Sequence, residues 1–299
     1  MSEIDLIERN CPLCRSDKHS SMFLKRRGSL DLMQTLFSPR EIPKYNSLQF
    51  NFCKKCDVIY ASPALPQDVS ENIYKRSPLN SIMESSCASK TYMELFKKFR
   101  TDNLKKESAL DIGCSDGIFL DELRRIGFKR VVGVEPSQEA KARAHPSIKN
   151  LIRNEIFDQR NFEKESFDLI SCFQSFEHFF DPQEIMNSIF NLLNCQGVGV
   201  FVFHDFSFYL NKLMGKRSPI YDLQHYQLFS QISIKLLLKN AGFRKVEIKR
   251  FKNQYSLIYW SSLFPFSPQL KKNILPKIKI LQNALLRINV GNLFVLVEK

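Results

Sequence analysis

A chain of 299 residues with a formal net charge of +13 is long enough for about two domains. Hydrophobic residues make up 43% and charged residues 25%, the balance of a soluble globular protein with at least one sizeable core, and the chain shows no internal repeat and no low-complexity tract. No run of about 18 apolar residues could span a bilayer, and Met1-Ser2-Glu3-Ile4-Asp5 lacks the basic and apolar regions of a secretory leader, so a cytoplasmic location is expected.

Residues 1–62 carry two C-x-x-C pairs, Cys11-Pro12-Leu13-Cys14 and Cys53-Lys54-Lys55-Cys56. A C-x-x-C turn can aim two thiolates at one ion, and two such turns complete the four-thiolate set that zinc prefers. The spacer between them is long, but closure entropy grows only with the logarithm of loop length. Four thiolates leave no open coordination position, so a structural zinc module is predicted. Cys87, Cys114, Cys172 and Cys195 are isolated and read as small buried side chains. In the following stretch, 63–107, Tyr92, Leu95, Phe96 and Phe99 recur at helical spacing and predict a helical linker.

From residue 108 onward, apolar runs alternate with helical stretches, the pattern of βαβ units around a parallel sheet. Strands are predicted near 109–112, 130–134, 167–172, 198–204 and 244–250, with a weaker one near 150–152. Helices are predicted near 116–127, 137–144, 182–194 and 230–241, the last ending at Gly242. Asn292 to Glu298 reads as a final strand. The expected architecture is α/β, a doubly wound sheet in 108–299 joined to the small N-terminal zinc module. Residues 251–292 interrupt the scheme with the aromatic run Tyr255 to Phe266, then Lys271, Lys272, Lys277, Lys279 and Arg287. Such a segment suits a lid, a dimer contact or a peripheral membrane surface, with the lid preferred.

Ala109-Leu110-Asp111-Ile112-Gly113-Cys114-Ser115-Asp116-Gly117 is a strand, a glycine turn and a helix start. About twenty residues on, Val131-Val132-Gly133-Val134-Glu135 is a second strand ending in an acid able to accept from both hydroxyls of a ribose. Dinucleotide sites usually show G-x-G-x-x-G to seat a pyrophosphate. Here position 115 is serine, which suits a nucleoside cofactor without phosphate, and Asp111 could help satisfy an ammonium.

This segment resembles motif I of the class I S-adenosylmethionine-dependent methyltransferases, which implies a Rossmann-like sheet with an antiparallel last strand. Phe167-Asp168-Leu169-Ile170 is similar to their fourth strand, and Glu177-His178 with Asp181-Pro182 to their E-H-x-x-D-P segment. Leu192 to Gly197 resembles the turn before their fifth strand; His225 to Ser230 and Ala241-Gly242-Phe243 resemble their late helix. The cysteine pairs are similar to the zinc module of a branch that includes sugar methyltransferases. The resemblance implies that Gly113, Gly117 and the backbone of Cys114 and Ser115 surround the methionine end of the donor. It places the ribose at Glu135, the adenine near Asn154, Glu155 and Ile156, and Phe173 and Gln174 facing the donor.

Three histidines are candidate bases at the carboxyl edge of the sheet: His225, which matches the late histidine base of the sugar C-methyltransferases, His204 and His178. His204 neighbours Asp205, but adjacent strand residues point to opposite faces. Tyr221, Asp222 and Tyr226 are expected near the acceptor. The quinone O-methyltransferases that bind a divalent metal do so through E-x-x-E-H, and Gln174 stands at the first acid here. The expected activity is methyl transfer to a carbohydrate, nucleotide-sugar or glycan-related acceptor. The alternatives are O-methylation of a small-molecule, lipid or quinone acceptor, and a non-catalytic zinc-module scaffold. The positive charge also admits nucleic acid or an anionic membrane, but there is no N/D-P-P-Y/F segment of the kind that amino-methylating enzymes carry. No sequence feature reports an oligomeric state.

Overall fold

A computed structural model describes residues 5–28, 46–77, 82–99, 104–263 and 284–299. The chain opens with β1 (Ser20–Leu24), β2 (Phe50–Cys53) and β3 (Val58–Ala61), followed by α1 (Gln67–Lys75) and α2 (Ile82–Phe96). The central part runs β4 (Ser108–Ile112), α3 (Ile118–Arg125), β5 (Arg130–Val134), α4 (Gln138–Arg143), α5 (Pro146–Lys149), β6 (Ile152–Arg153), β7 (Phe167–Phe173), α6 (Pro182–Leu192) and β8 (Leu193–His204). The rest comprises α7 (Tyr209–Met214), β9 (Gln227–Leu228), α8 (Gln231–Ala241), β10 (Lys245–Arg250), β11 (Asn253–Ser256), α9 (Leu257–Leu263), β12 (Leu285–Ile288) and β13 (Asn292–Glu298).

Seven strands form the central sheet in the order β10-β13-β8-β7-β4-β5-β6. Neighbours among β4 to β8 are parallel, while β13 runs antiparallel between β8 and β10. This is the doubly wound sheet that the alternating pattern predicts, with the antiparallel last strand that the resemblance implies. The inner strands, covered on both faces, are apolar nearly throughout: all five residues of β4 are buried, while the edge strand β10 is largely exposed. Alternation divides them. Phe201 and Phe203 of β8 join the cluster that includes α6 and α8, while Val200 and Val202 join the one that includes α2 and α3.

Asp181 explains the Asp-Pro step before α6. Its carboxylate accepts from the backbone N–H groups of Gln183 and Glu184, with Pro182 in the first turn, where its missing donor is harmless. The helix predicted over 182–194 stops at Leu192 instead. Leu193 pairs with Phe167 ahead of a register shift, and Asn194 Nδ2 donates to Asp168 Oδ1 at 2.7 Å. These long-range pairings override the local helical pattern.

A second sheet, in the order β1-β2-β3-β9, takes its last strand from far along the chain: Ile59 pairs with Leu228 and Tyr60 with Gln227. The late segment is therefore stitched to the cysteine-bearing N-terminus. Among the described residues, no helix is long and apolar enough to cross a membrane. Of the 251–292 segment, β11, α9 and β12 are described; Lys271, Lys272, Lys277 and Lys279 lie outside the described residues.

Candidate active site

One cavity of about 1360 Å³ opens at the carboxyl ends of β4, β5, β7 and β8, where open α/β sheets bind their ligands. It exceeds the roughly 300–1,000 Å³ of an ordinary single-ligand pocket, which leaves room for a donor and an acceptor together.

The cavity wall at the carboxyl ends of β4 and β5 is built by the turn after β4. Gly113, at φ +76°, and Cys114 both donate backbone N–H to Val134 O, at 2.8 and 3.1 Å. A Cβ on Gly113 would lie 2.5 Å from Ser175 Oγ, so only glycine lets the turn approach the loop after β7. Ser115 also has positive φ, +53°, and its N–H donates to Glu135 Oε2 at 2.9 Å. The N–H of Ser137 donates to Glu135 Oε1 at 2.8 Å. Glu135 is half-buried and borders the cavity. Burial pushes its carboxyl up to about 6, while the two N–H bonds pull the other way. Each oxygen has further acceptor capacity for a ligand hydroxyl.

The predicted donor-site residues do not all reach the cavity. Gly113, Ser115, Glu135, Ile156, Phe173 and Gln174 line it; Asp111, Cys114, Gly117, Asn154 and Glu155 do not. Asp111 is buried behind the turn, accepts from Ser171 Oγ at 2.7 Å, and is raised to about 7 by burial. Its expected approach to a donor ammonium is thus indirect. The Cys114 thiol packs over Gly133, where a Cβ would come within 2.5 Å of its sulfur. Gly117 starts α3 at φ +76°. Asn154 Nδ2 staples the loop after β5 by donating to the carbonyls of Glu135 and Pro136, at 2.8 and 3.0 Å. Glu155 sits 3.9 Å from Arg153. The cavity wall beyond Ile156 is instead Phe157 and Asp158, which the sequence reading missed.

The same cavity is bordered by His178, His204 and His225, which meet. The rings of His178 and His225 lie 4.8 Å apart between centroids, and those of His204 and His225 5.6 Å apart. His225 Nδ1 lies 2.8 Å from Ile220 O and 3.2 Å from Asp222 Oδ1. Both are acceptors, so Nδ1 carries the proton and Nε2 keeps a lone pair. Burial, then the His204 ring, takes His225 down to about 3. Burial, then His225, does the same to His178. Asp222 is raised to about 6 by burial, with its Oδ1 accepting from the N–H groups of Gln224 and His225. His178 Nδ1 also meets Tyr74 Oη at 2.7 Å, a partner from α1 that no sequence signal marked.

His204 Nδ1 lies 2.9 Å from Asn292 Oδ1, not from Asp205. Asp205 faces the other way and holds Arg250 at 2.8 Å, as strand alternation requires. Gln174, standing where the metal-binding segment would have its first acid, accepts from Tyr92 Oη at 3.0 Å. Tyr221, Asp222 and Tyr226 all border the cavity, as do Tyr255, Tyr259 and Trp260 from the 251–292 segment.

The four sulfurs of Cys11, Cys14, Cys53 and Cys56 lie within 4.8 Å of one another. Cys14 and Cys53 are 3.8 Å apart, about the S···S edge of a tetrahedron with metal–sulfur bonds of roughly 2.3 Å. The two turns match. Arg15 N–H donates to Cys11 O and Asp57 N–H to Cys53 O, each at 2.9 Å, and both donor residues have positive φ. Burial raises the Cys11 thiol to about 12, a burden that a bound cation would lift. Arg9 and Arg15 flank the first pair. Arg9 stacks on Phe180 and Tyr226, 4.4 and 5.0 Å from the ring centres, and donates to the carbonyls of both residues. Arg15 pairs with Asp181 at 2.7 Å. The cysteine turn thereby grips the segments that carry His178 and His225.

The model of the methyltransferase domain family matches residues 81–248. A ubiquinone biosynthesis O-methyltransferase from Neisseria meningitidis is 29% identical over 106 residues, 33% of this chain and 44% of that protein. A tRNA U34 carboxymethyltransferase from Sulfurimonas denitrificans is 28% identical over 101 residues, 32% of this chain and 34% of that protein. The alignments thus span less than half the length of these relatives. Among solved structures, a chain of the complex between the Haloferax volcanii Trm112 methyltransferase activator and its candidate methyltransferase shares the fold, with a TM-score of 0.50 and 14% identity over 78% of this chain and 93% of that one. With the glycine turn, the acid after β5 and the antiparallel last strand in place, the chain belongs to the methyltransferase domain family, as an S-adenosylmethionine-dependent enzyme of the class I fold.

Proposed function

We propose that this protein transfers a methyl group to a hydroxyl oxygen of a small-molecule acceptor, with His225 as the proton acceptor. The observation that carries this reading is one cavity bordered by both Glu135 and a cluster of three imidazoles. Bound S-adenosylmethionine supplies a methyl carbon on a positively charged sulfur. Glu135 would hold its ribose hydroxyls, Ile156 to Asp158 would flank its adenine, and the turn at Gly113 to Ser115 would take its methionine end. An acceptor oxygen held in line with that methyl carbon would take the methyl group, the carbon–sulfur bond breaking with its electrons left on sulfur. The hydroxyl proton passes to His225 Nε2, and Asp222 beside Nδ1 steadies the resulting imidazolium.

An imidazole lowered to about 3 is neutral at pH 7, hence competent to accept, but it is a weak base. It suits an acidic hydroxyl, such as a phenol or enol, better than an alkanol. The O-methyltransferase relatives agree with an oxygen acceptor. A carbohydrate or nucleotide-sugar hydroxyl is the second reading, favoured by the aromatic and carboxamide wall of Tyr255, Trp260, Asn253 and Asn292. The cysteine cluster fits structural zinc, with Cys11, Cys14, Cys53 and Cys56 as its four ligands.

Calorimetry with S-adenosylmethionine tests the core of the proposal. Wild type is expected to bind, and Glu135→Ala to bind about 100-fold or more weakly, because two charge-assisted hydrogen bonds are lost. His225→Gln is expected to keep donor binding and lose turnover. A wild type that does not bind the donor would leave the scaffold reading in its place.

A further inference from the structure

Helix α7 (Tyr209–Met214) is clamped at its middle. Asn211 Nδ2 donates to Asp205 O at 2.8 Å, and Asn211 Oδ1 accepts from Ser218 Oγ at 2.9 Å, both bonds buried. The helix therefore cannot roll, and its faces are fixed. Leu210 and Met214, one turn apart, border the cavity. Tyr209 and Leu213, also one turn apart, are 64% and 81% exposed. Leu213 borders the cavity as well, so the cavity opens to the outside beside it. A lone exposed leucine is ordinary. Two large apolar side chains held on one outward face at the mouth of a cavity mark an interaction surface. Lys212, Lys216 and Arg217, next to them in the chain, are exposed, and no acidic residue occurs from Phe206 to Tyr221. The patch extends to β1. Arg27 Nη1 donates to Lys216 O at 2.6 Å, and Lys216 shares a small recess with Lys25 and with Met22, which is 54% exposed.

We propose that α7 docks on an anionic lipid surface and sets this opening of the cavity against it. Tyr209 and Leu213 enter the boundary between headgroups and acyl chains, while Lys212, Lys216 and Arg217 stay at the level of the phosphates. Charge complementarity selects this occupant. Apolar side chains alone would suit any greasy surface, but three cations without an acid around them call for a partner that is both apolar and uniformly negative at its rim. An anionic bilayer has that layering everywhere on its face. The phenol of Tyr209 suits the boundary, since its ring is apolar and its hydroxyl stays wet. The net charge of +13 adds long-range attraction of the same sign. The contact lies on α7 and β1, outside the 251–292 segment. It goes beyond the methyl-transfer reading and needs no bound donor.

Sedimentation with vesicles of phosphatidylcholine, with and without phosphatidylglycerol, tests the proposal on the full chain. Wild type is expected to bind the anionic vesicles at about 0.1 M salt, and more weakly near 1 M. Leu213→Ser and Tyr209→Ser change no charge, and each is expected to bind about tenfold or more weakly. Lys212→Glu with Lys216→Glu is expected to lose about 20-fold or more. Lys97→Glu with Lys98→Glu makes the same change in net charge at exposed positions after α2, and should bind more tightly than that pair. Thermal midpoints should stay close to wild type, because the replaced side chains are exposed. Tyr209→Trp adds an indole to a chain whose own, Trp260, is buried. Its emission is expected to shift to the blue on anionic vesicles and to be quenched by brominated acyl chains. The proposal is overturned if wild type does not sediment with anionic vesicles, if both serine variants sediment as wild type does, or if the two lysine pairs weaken binding equally. An indole at position 209 that bound lipid leaves unchanged would also overturn it. So would self-association that Leu213→Ser abolishes, with no vesicle binding, which would make the patch a contact between copies.

Discussion

Gly113→Ala places a methyl group at the closest approach of the donor turn to the loop after β7. Two separable effects oppose it. An L residue at φ +76° is strained by roughly 1–2 kcal/mol. The new Cβ would also lie 2.5 Å from Ser175 Oγ, an overlap whose relief shifts one loop at a further cost of about 1–3 kcal/mol. Ser175→Ala removes only the second effect, because the remaining Ser175 Cβ contact is 3.3 Å. Thermal unfolding and calorimetry with S-adenosylmethionine on the four proteins of this cycle separate the two. Gly113→Ala is expected to lose about 2–5 kcal/mol of stability and to bind the donor at least tenfold more weakly. Adding Ser175→Ala should return the overlap and leave the φ strain. If Gly113→Ala matches wild type in both assays, the turn is not held as tightly as its geometry states. If Ser175→Ala recovers nothing, the overlap is not the cause.

His225 has a depressed folded-state value of about 3 against an ordinary 6.5, so the unfolded chain binds the extra proton between those values. Its stabilising neutral form is fully present above about pH 6.5 and is lost as pH falls toward 3. His225→Gln should therefore gain on wild type by about 2 kcal/mol at pH 5 relative to pH 8, measured by urea titration at both; an unchanged difference refutes the buried neutral ring. Arg9→Met removes the guanidinium donor to the Phe180 carbonyl and one of the two donors to the Tyr226 carbonyl, which still accepts from Ala61 N–H, and should cost about 1–3 kcal/mol. Donor affinity should hold while the near-ultraviolet signal of the surrounding aromatics changes. A strong chelator should release one metal ion per chain and lower the thermal midpoint; one unaffected by it would leave the cysteines as thiols.

The glycine turn and the acid after the next strand are legible because their information is local. Gly113, the strand before it and Glu135 after the next strand lie within a short stretch, and each residue type has a direct geometric reason. The paired C-x-x-C turns were legible for the same reason. Phe157 and Asp158 were missed because β6 is only two residues long and carries no alternation to set its register. Tyr74 was hidden in a linker helix, and only the tertiary fold brings it to His178. Asn253 and Asn292 reach the cavity from strands far along the chain, and nothing in their neighbours marks them. The early end of α6 at Leu192 reflects pairing with β7, which local periodicity cannot report.

The pairing of β3 with β9 has a consequence for how the chain assembles. Ile59 and Leu228 meet across more than half the sequence, so the N-terminal sheet cannot close until that late strand has been synthesised. The cysteines can gather early, since both turns lie within the first 57 residues. The edge of β3 must wait, with its backbone donors and acceptors open, while the whole parallel sheet is laid down. A metal bound at the turns in that interval would act as a temporary brace, keeping the waiting edge in shape for its distant partner.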